Sequence, residues 1–412
     1  MQSPRTLALP LLLPLFGAAP LAQVVVVDDD GGPGVDFTAI QPAVNAAPAG
    51  ATLLVHEGAY GGFQIQGKSL EVVADKDEVV LVQGTVFVRD LVAGQAVLLH
   101  GLTVQGPTDG PALATVSCDG PVWVEDGVFV AAQGQALTPL AGASVESCDA
   151  VSIHRTRLVG SRGVNADAGA GLRAVDSHVF LFEGSLQGGE ATQGGFTPAT
   201  APGAGAHASG GLLLVNGGDM RGGSGADGLS SFLPCVDGTD GAPGLRLDGA
   251  APAAELVGLV PQGGAGGQTL FPCVPGGAGP SYDVPSGSVT ANPTQARELS
   301  IAGPLRPGEP LVLLGQGLPF EEVFYLIGFE QTPVLFGSPA LLGGVLLPPF
   351  LPEVDFLGST DANGSIVVQT TAPAPPTEAL TIYTQGAFFD LSFTTPAVLS
   401  PAQSLTFLAP GF

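Results

Sequence analysis

The sequence predicts an all-β protein: a parallel β-helix opened by a short cap helix and followed by a smaller antiparallel β-sandwich. Three observations carry this. One ten-residue pattern recurs five times between Val97 and Gly222, an amphipathic stretch precedes it, and short strands separated by Pro and Gly follow Pro293. The pattern is aliphatic, any, aliphatic, four residues, apolar, any, small. Its copies start at Val97, Val122, Val151, Val179 and Leu213, so they lie 25, 29, 28 and 34 residues apart. The period absorbs insertions while the motif keeps its inner spacing. That is how a solenoid behaves, because each copy is a short strand that buries its apolar side only by stacking on neighbours.

The amphipathic stretch lies between Asp28 and Gly62. It combines an acidic turn, a short helix with Phe37, Ile40 and Val44 on one side, and a strand from Leu53 to His56. A first rung leaves backbone groups unpaired, and the helix is expected to cover them. Pro42 falls inside the helix and is expected to shorten it.

After Pro293, strands are expected at Leu311 to Leu314, Val323 to Phe329, Val334 to Phe336, Val354 to Leu357, Ile366 to Gln369, Leu380 to Thr384, Leu391 to Phe393 and Leu405 to Leu408. Short strands at this spacing suggest a sandwich of about 110 residues. The run Asp361, Ala362, Asn363, Gly364 is expected to turn a hairpin, since Asn-Gly adopts positive φ readily. The divisions are a leader over 1–22, the β-helix over 23–292 and the sandwich over 298–412.

Composition narrows the function classes. Twelve Lys and Arg stand against 37 Asp and Glu, a formal charge of −25. Such a field repels phosphate backbones and anionic lipid surfaces, so nucleic acid is excluded as a partner and a polyuronate would need bridging cations. Arg5, the apolar run from Leu7 to Phe16 and the small residues before Gln23 form a secretory signal, the apolar run being too short and proline-broken to span a bilayer. The chain is therefore expected to be secreted, periplasmic or held at the cell surface, without a membrane span after the leader.

Export makes disulfides plausible. Ser117, Cys118, Asp119 recur as Ser147, Cys148, Asp149, each just ahead of a repeat copy. Stacking in register puts the two cysteines on adjacent rungs about 4.8 Å apart, within the Cα separation a disulfide accepts. A bridge there would close a loop of about 30 residues, worth roughly 3.5 kcal/mol in the chain-entropy model. Cys235 in FLPCV and Cys273 in LFPCV form a second matched pair. Two bridges are expected, an unbridged column of buried thiols being the alternative.

The run DFTAIQPAVNAAPAGATLLVHEGAYGGFQI, with GKSLEVVAD and LLHGLTVQG after it, resembles the opening of a right-handed parallel β-helix of the pectate-lyase-like superfamily. The resemblance covers about residues 24 to 290 and concerns fold. The second domain resembles a β-rich module found at the C-termini of exported bacterial proteins. Enzymes of that superfamily suggest where to look for chemistry. Lyases on the fold hold calcium in a carboxylate cluster and use a nearby Arg as base, which turns attention to Arg155, Asp167, Arg173 and Asp176 in the ionisable stretch from Asp149 to His178. Register offers another account, placing Asp126, Arg155 and Glu183 in one alternating-charge column. Asn165, Ala166, Asp167 is similar to one polygalacturonase element, but the Asp-Asp, Gly-His-Gly and Arg-x-Lys elements are missing.

Other chemistry is sparse. Residues 222–230 match a calcium-binding nonapeptide once, and a single copy builds no site between turns. Asp28, Asp30 and Asp36 are the better place for a loop-bound calcium; no other cofactor is implied. The five histidines show no metal-ligand spacing, and the Gly-rich insertions between copies are expected as loops on one side of the stack.

In each copy the second residue should point outward, giving a column Leu98, Trp123, Ser152, Phe180, Leu214, with Phe182 beside it. Trp123 and Phe180 would stand about 9.6 Å apart from the rung spacing, close to the reach of two sugar rings. The sequence thus suggests an exported, non-catalytic β-helix protein that binds glycans or has a structural role at the cell envelope. The competing reading is a polysaccharide lyase or hydrolase with its site between Asp149 and Asp176. The strip could equally be covered by loops or by the sandwich.

Overall fold

A computed structural model describes residues 23–412 apart from 135–137, 164–165, 193–199, 229–235, 270–272, 330–340, 343–352 and 391–396. The predicted leader, Cys235 and the expected strands at 334–336 and 391–393 lie outside the described residues.

Among the described residues, twenty-one strands form one continuous parallel sheet wound into three columns. The first column stacks Val24–Val27, Ala51–Val55, Leu70–Ala74, Val97–His100, Val122–Glu125, Val151–His154, then the second halves of Leu172–Phe182 and Ala206–Asn216, and finally Ala253–Val257 and Ser288–Asn292. The repeat residues fall in register: Val97 pairs with Val122, Val122 with Val151, and Val151 with Val179. Val72, Leu99, Val124, Ile153, Leu181, Val215 and Leu256 point inward as one buried column, and Phe129, Leu158, Leu186 and Met220 face them from the second column. No rung could hold these residues out of water alone; stacked, each covers the next.

The helix spans Ile40–Ala46, with Ile40, Ala43 and Val44 buried against the first rungs. Pro42 sits in its first turn, where proline costs little. Pro48 ends it by holding Ala47 at ψ 138, in the extended region. Lys68 then donates its Nζ hydrogens to the freed carbonyls of Val44 and Ala47.

Two sheets make the C-terminal domain. Glu298–Ile301, Pro310–Gln316 and Ser365–Thr371 form the smaller; Leu341–Leu342, Ala397–Leu408, Ala379–Phe389, Glu322–Gly328 and Glu353–Ser359 form the larger. Leu299, Ile301, Leu311, Leu313, Tyr325, Leu405 and Phe407 fill the space between them. Gly364 takes φ +79 as expected, but the turn is not a hairpin. Glu353–Ser359 pairs in one sheet and Ser365–Thr371 in the other, so the turn carries the chain across the sandwich.

The larger sheet lies along the solenoid. All residues of Ala397–Leu408 are buried, pressed between the sandwich core and the outer face of the first column. The strand runs along the stacking axis: Leu408 meets Leu54 on the second rung, Ser404 N–H bonds Glu125 on the fifth, and the Leu399 carbonyl accepts from Asn216 on the eighth. Its rise explains the fit. Nine residue steps cover about 30 Å at strand pitch, and six rung steps cover about 29 Å.

The Gly-rich insertions depart from expectation. They are stacked, hydrogen-bonded segments, and those at 222–228 and 238–244 carry glycine at every third residue: Gly222, Gly225, Gly228 and Gly238, Gly241, Gly244. This is the repeat of a polyproline-II chain, which makes no internal hydrogen bonds and so turns its N–H groups to its neighbours. Gly222, Gly225 and Gly228 donate to Gln262, Ala265 and Gln268, and Gly238, Gly241 and Gly244 donate to Val274, Gly277 and Pro280. A second relay crosses the stack from Gly279 through Gly264, Ala242, Gly223, Gly203 and Gly189 to Gly169, at 2.8–3.0 Å per bond. None of these glycines has positive φ. Space is what requires them: a Cβ on Gly189 would sit 1.8 Å from the Ser161 carbonyl oxygen, and one on Gly264 1.9 Å from that of Gly223. Asp167, Asp227, Asp237 and Asp240 brace the layer, each accepting a backbone N–H from the next segment. Asp227, the acid of the calcium-like nonapeptide, is thereby a structural acceptor.

The first predicted disulfide is corrected. Cys118 and Cys148 pair in register as expected, yet both are free buried thiols. In a parallel stack the two side chains point the same way into the core, and each finds a carbonyl acceptor, Cys118 on Val116 and Cys148 on Glu146. The close approach of the two thiols lowers Cys148 and pushes Cys118 up. Cys273 is disulfide-bonded.

Replacing Gly264 by Ala should destabilise the fold by ~3 kcal/mol or more, the upper range of overpacking costs. Gly61→Ala, whose Cβ would meet nothing within 4 Å, should change stability by less than about 0.5 kcal/mol. Denaturant unfolding of the two variants checks this.

Candidate functional site

The outward column of the first sheet is where the sequence placed its glycan strip. Register puts Leu98, Trp123, Ser152, Phe180 and Leu214 in one line, as the spacing predicts. The side chains leave the solenoid but do not reach solvent. Trp123 is 1% exposed, Phe180 3% and Phe182 0%, clustered with Leu98, Leu214, Tyr383 and Ala402. Trp123, Phe180 and Phe182 are therefore corrected from a sugar ledge to the seat of the C-terminal domain. A parallel strand with apolar residues on both faces demands cover on both, and strands Ala379–Phe389 and Ala397–Leu408 provide it.

Inside the seat, His154 lies between two aromatic rings. Its centroid is 4.1 Å from that of Trp123 and 4.9 Å from that of Phe182, with interplanar angles of 10° and 9°. The ring is fully buried, and neither nitrogen has a hydrogen-bond partner among the described residues. Burial, and then the nearby Arg155 charge, hold it well below the usual histidine range, against the pull of Asp126. The imidazole is a neutral aromatic spacer.

One rung away, Glu125 gathers four donors: Trp123 Nε1 at 3.1 Å, Arg155 Nη2, and the backbone N–H and hydroxyl of Ser404. Arg155 also grips Asp126 through two hydrogen bonds of 2.8 Å. Burial alone would raise the Asp126 carboxyl, but His100 and Arg155 hold it well below its ordinary range. Asp126, Arg155 and Glu183 do stack as one column, each at positive φ in the turn that follows the first sheet. Glu183 is pushed up to about 8 by burial and by the neighbouring Glu298.

The four candidate catalytic residues do not assemble. Arg155 is held by Glu125 and Asp126 in one turn. Asp167 braces Ala201 in the glycine layer, Arg173 pairs with Glu146 on the third column, and Asp176 occupies the turn beyond it at φ +45. Among the candidate calcium ligands, Asp36 accepts the Val26 N–H and Asp28 the Asp30 N–H, so they tie the N-terminal turn together.

The one three-residue cluster of metal-ligating atoms among the described residues escaped sequence reasoning. His56, Asp75 and Glu78 place ligand atoms within 4.8 Å of one another. His56 Nδ1 stands 3.1 Å from Glu78 and 3.6 Å from Asp75. Asp75 is also gripped through both oxygens at 2.9 Å by Arg306 of the C-terminal domain. That guanidinium already occupies the carboxylate a cation would need, so the cluster serves domain attachment. The signal was present: His56 and Asp75 each follow the end of a first-column strand on adjacent rungs.

The chain matches no protein-family model, and no curated protein is similar to it in sequence. The parallel solenoid agrees with the resemblance noted above at the level of architecture alone.

Among the perturbed groups, His154 and Glu183 give opposite pH limbs. His154 has a folded pKa below its ordinary 6.5, so the unfolded chain takes up a proton that the folded one refuses, and stability falls as pH drops below about 6.5, by up to ~1.4 kcal/mol per pH unit. Glu183 has a folded pKa raised from 4.5 to about 8, so its contribution is complete below 4.5 and lost as pH rises to about 8. Between 4.5 and 6.5 the two oppose. The thermal midpoint of the wild-type chain should therefore plateau there, His154→Phe should flatten the acid limb, and Glu183→Gln the alkaline one. Thermal scans across pH read this out.

Proposed function

We propose that the chain is an exported, non-catalytic β-helix protein with a glycan-binding or structural role at the cell envelope, working outside the cytoplasm. The single observation that carries this reading is the engagement of three of the four candidate catalytic groups in structural contacts, Arg155 with Glu125 and Asp126, Asp167 with Ala201 and Arg173 with Glu146, while Asp176 stands apart from them in the turn beyond the third column. General acid or base chemistry needs a group with a free proton-transfer path to a substrate, and these groups are committed to the fold. The acidic balance of 12 cations against 37 carboxylates favours a neutral polymer over a polyuronate. Membership in the pectate-lyase-like superfamily belongs to the same proposal and rests on the N-terminal sequence run and the shared architecture.

Incubating the purified protein with uronate and neutral polysaccharides, with and without calcium, should yield neither ultraviolet-absorbing unsaturated products nor new reducing ends, while neutral polysaccharide gels retard it. Product formation from any of them would replace this reading with the lyase or hydrolase one.

A further inference from the structure

Where the turn entering the first column faces the larger sandwich sheet, a cleft of about 550 Å³ opens. Asp119 and Asp149 stand on one side, Tyr383 and Phe329 belong to the sandwich side, and Leu98 and Glu71 line it from the first column. Both aspartates follow the in-register Cys118–Cys148 pair, so they stack on adjacent rungs about 4.8 Å apart. Both are exposed, and neither carboxylate makes a hydrogen bond or ion pair among the described residues. They contrast with the aspartates that brace the turns and the glycine layer. Glu71 is pinned by the hydroxyls of Thr52 and Thr381, at 2.9 and 2.7 Å. Phe329 is 59% exposed. Among the described residues, no Lys or Arg lines the cleft.

The lining carries two exposed carboxylates on one side and an exposed aromatic ring, Phe329, on the side opposite. A pyranose ring satisfies such a site: adjacent hydroxyls donate to carboxylate oxygens, while the ring's C–H face lies on an aromatic surface. Uronates and phosphorylated sugars are repelled by the two exposed carboxylates of Asp119 and Asp149 without a counter-cation. We propose that this cleft binds a neutral saccharide, with Asp119 and Asp149 accepting from its hydroxyls and Phe329 stacking on its ring. The proposal rests on the glycan-binding reading above and moves its seat from the buried aromatic column to the domain boundary.

Calorimetric titration of the full chain decides it, using cello-, xylo- and manno-oligosaccharides, trigalacturonate and calcium chloride as probes. At least one neutral oligosaccharide should bind. Its affinity should be insensitive to raising NaCl from about 0.05 to about 0.5 M. It should fall at least tenfold in both Asp119→Ala/Asp149→Ala and Phe329→Ala, whose thermal midpoints should match the wild type because the changed side chains are exposed. Wild-type affinity retained in both variants overturns the cleft and leaves glycan binding standing elsewhere. Binding of calcium or trigalacturonate with no neutral sugar overturns the ligand class. Absence of binding to every saccharide overturns the cleft and the glycan-binding reading together.

Discussion

Everything in this molecule depends on burying two faces of one parallel sheet. The inward face of the first column is covered by the other two columns, which is the ordinary economy of a solenoid. Its outward face carries Leu54, Val73, Leu98, Trp123, Phe180, Phe182 and Leu214, and water would be a poor neighbour for it. At roughly 25 cal/mol per Å² of apolar surface, hiding such side chains is worth a kcal/mol or more each. The strand Ala397–Leu408 supplies the cover because its residue rise and the rung spacing stay in step over its length. The sandwich is thus the second wall of the solenoid's outer layer.

The same seat holds the chain's most unusual polar groups. A neutral histidine without hydrogen bonds, a carboxylate receiving four donors and an arginine shared between two acids lie within neighbouring rungs. They are tolerable because the stack fixes their spacing: each rung sets its side chains one strand separation from the next, and charge alternates along the turn. Arg306 with Asp75, and Lys76 with Glu309 at 3.4 Å, repeat the arrangement nearer the N-terminal end. The last two pairs are partly exposed, so they mark where the domains meet more than they strengthen the meeting.

The glycine layer solves a different problem. Insertions between rungs carry backbone groups that must find partners, and long loops would leave them to water. Removing side chains lets the segments approach until each N–H reaches the next carbonyl, and the three-residue repeat presents those groups at regular intervals. The aspartates of these segments serve as braces, which explains why a chain so rich in carboxylates gathers so few of them into a reactive group.

By itself the sequence determined the rung. The spacing of Val97, Leu99, Val104 and Gly106, repeated five times, sets which residues face inward, which cysteines and charges stack, and that a second β domain follows. Those are short-range consequences of strand alternation and in-register pairing. The tertiary structure decided what lies on the far side of each face: that Trp123 and Phe182 hold a histidine under another domain, that the turn at Gly364 crosses between sheets, and that glycine runs form a packed layer. A periodic pattern fixes the direction in which a side chain points, whereas its surroundings depend on segments hundreds of residues away, joined by contacts such as Glu125 with Ser404 that no local spacing encodes.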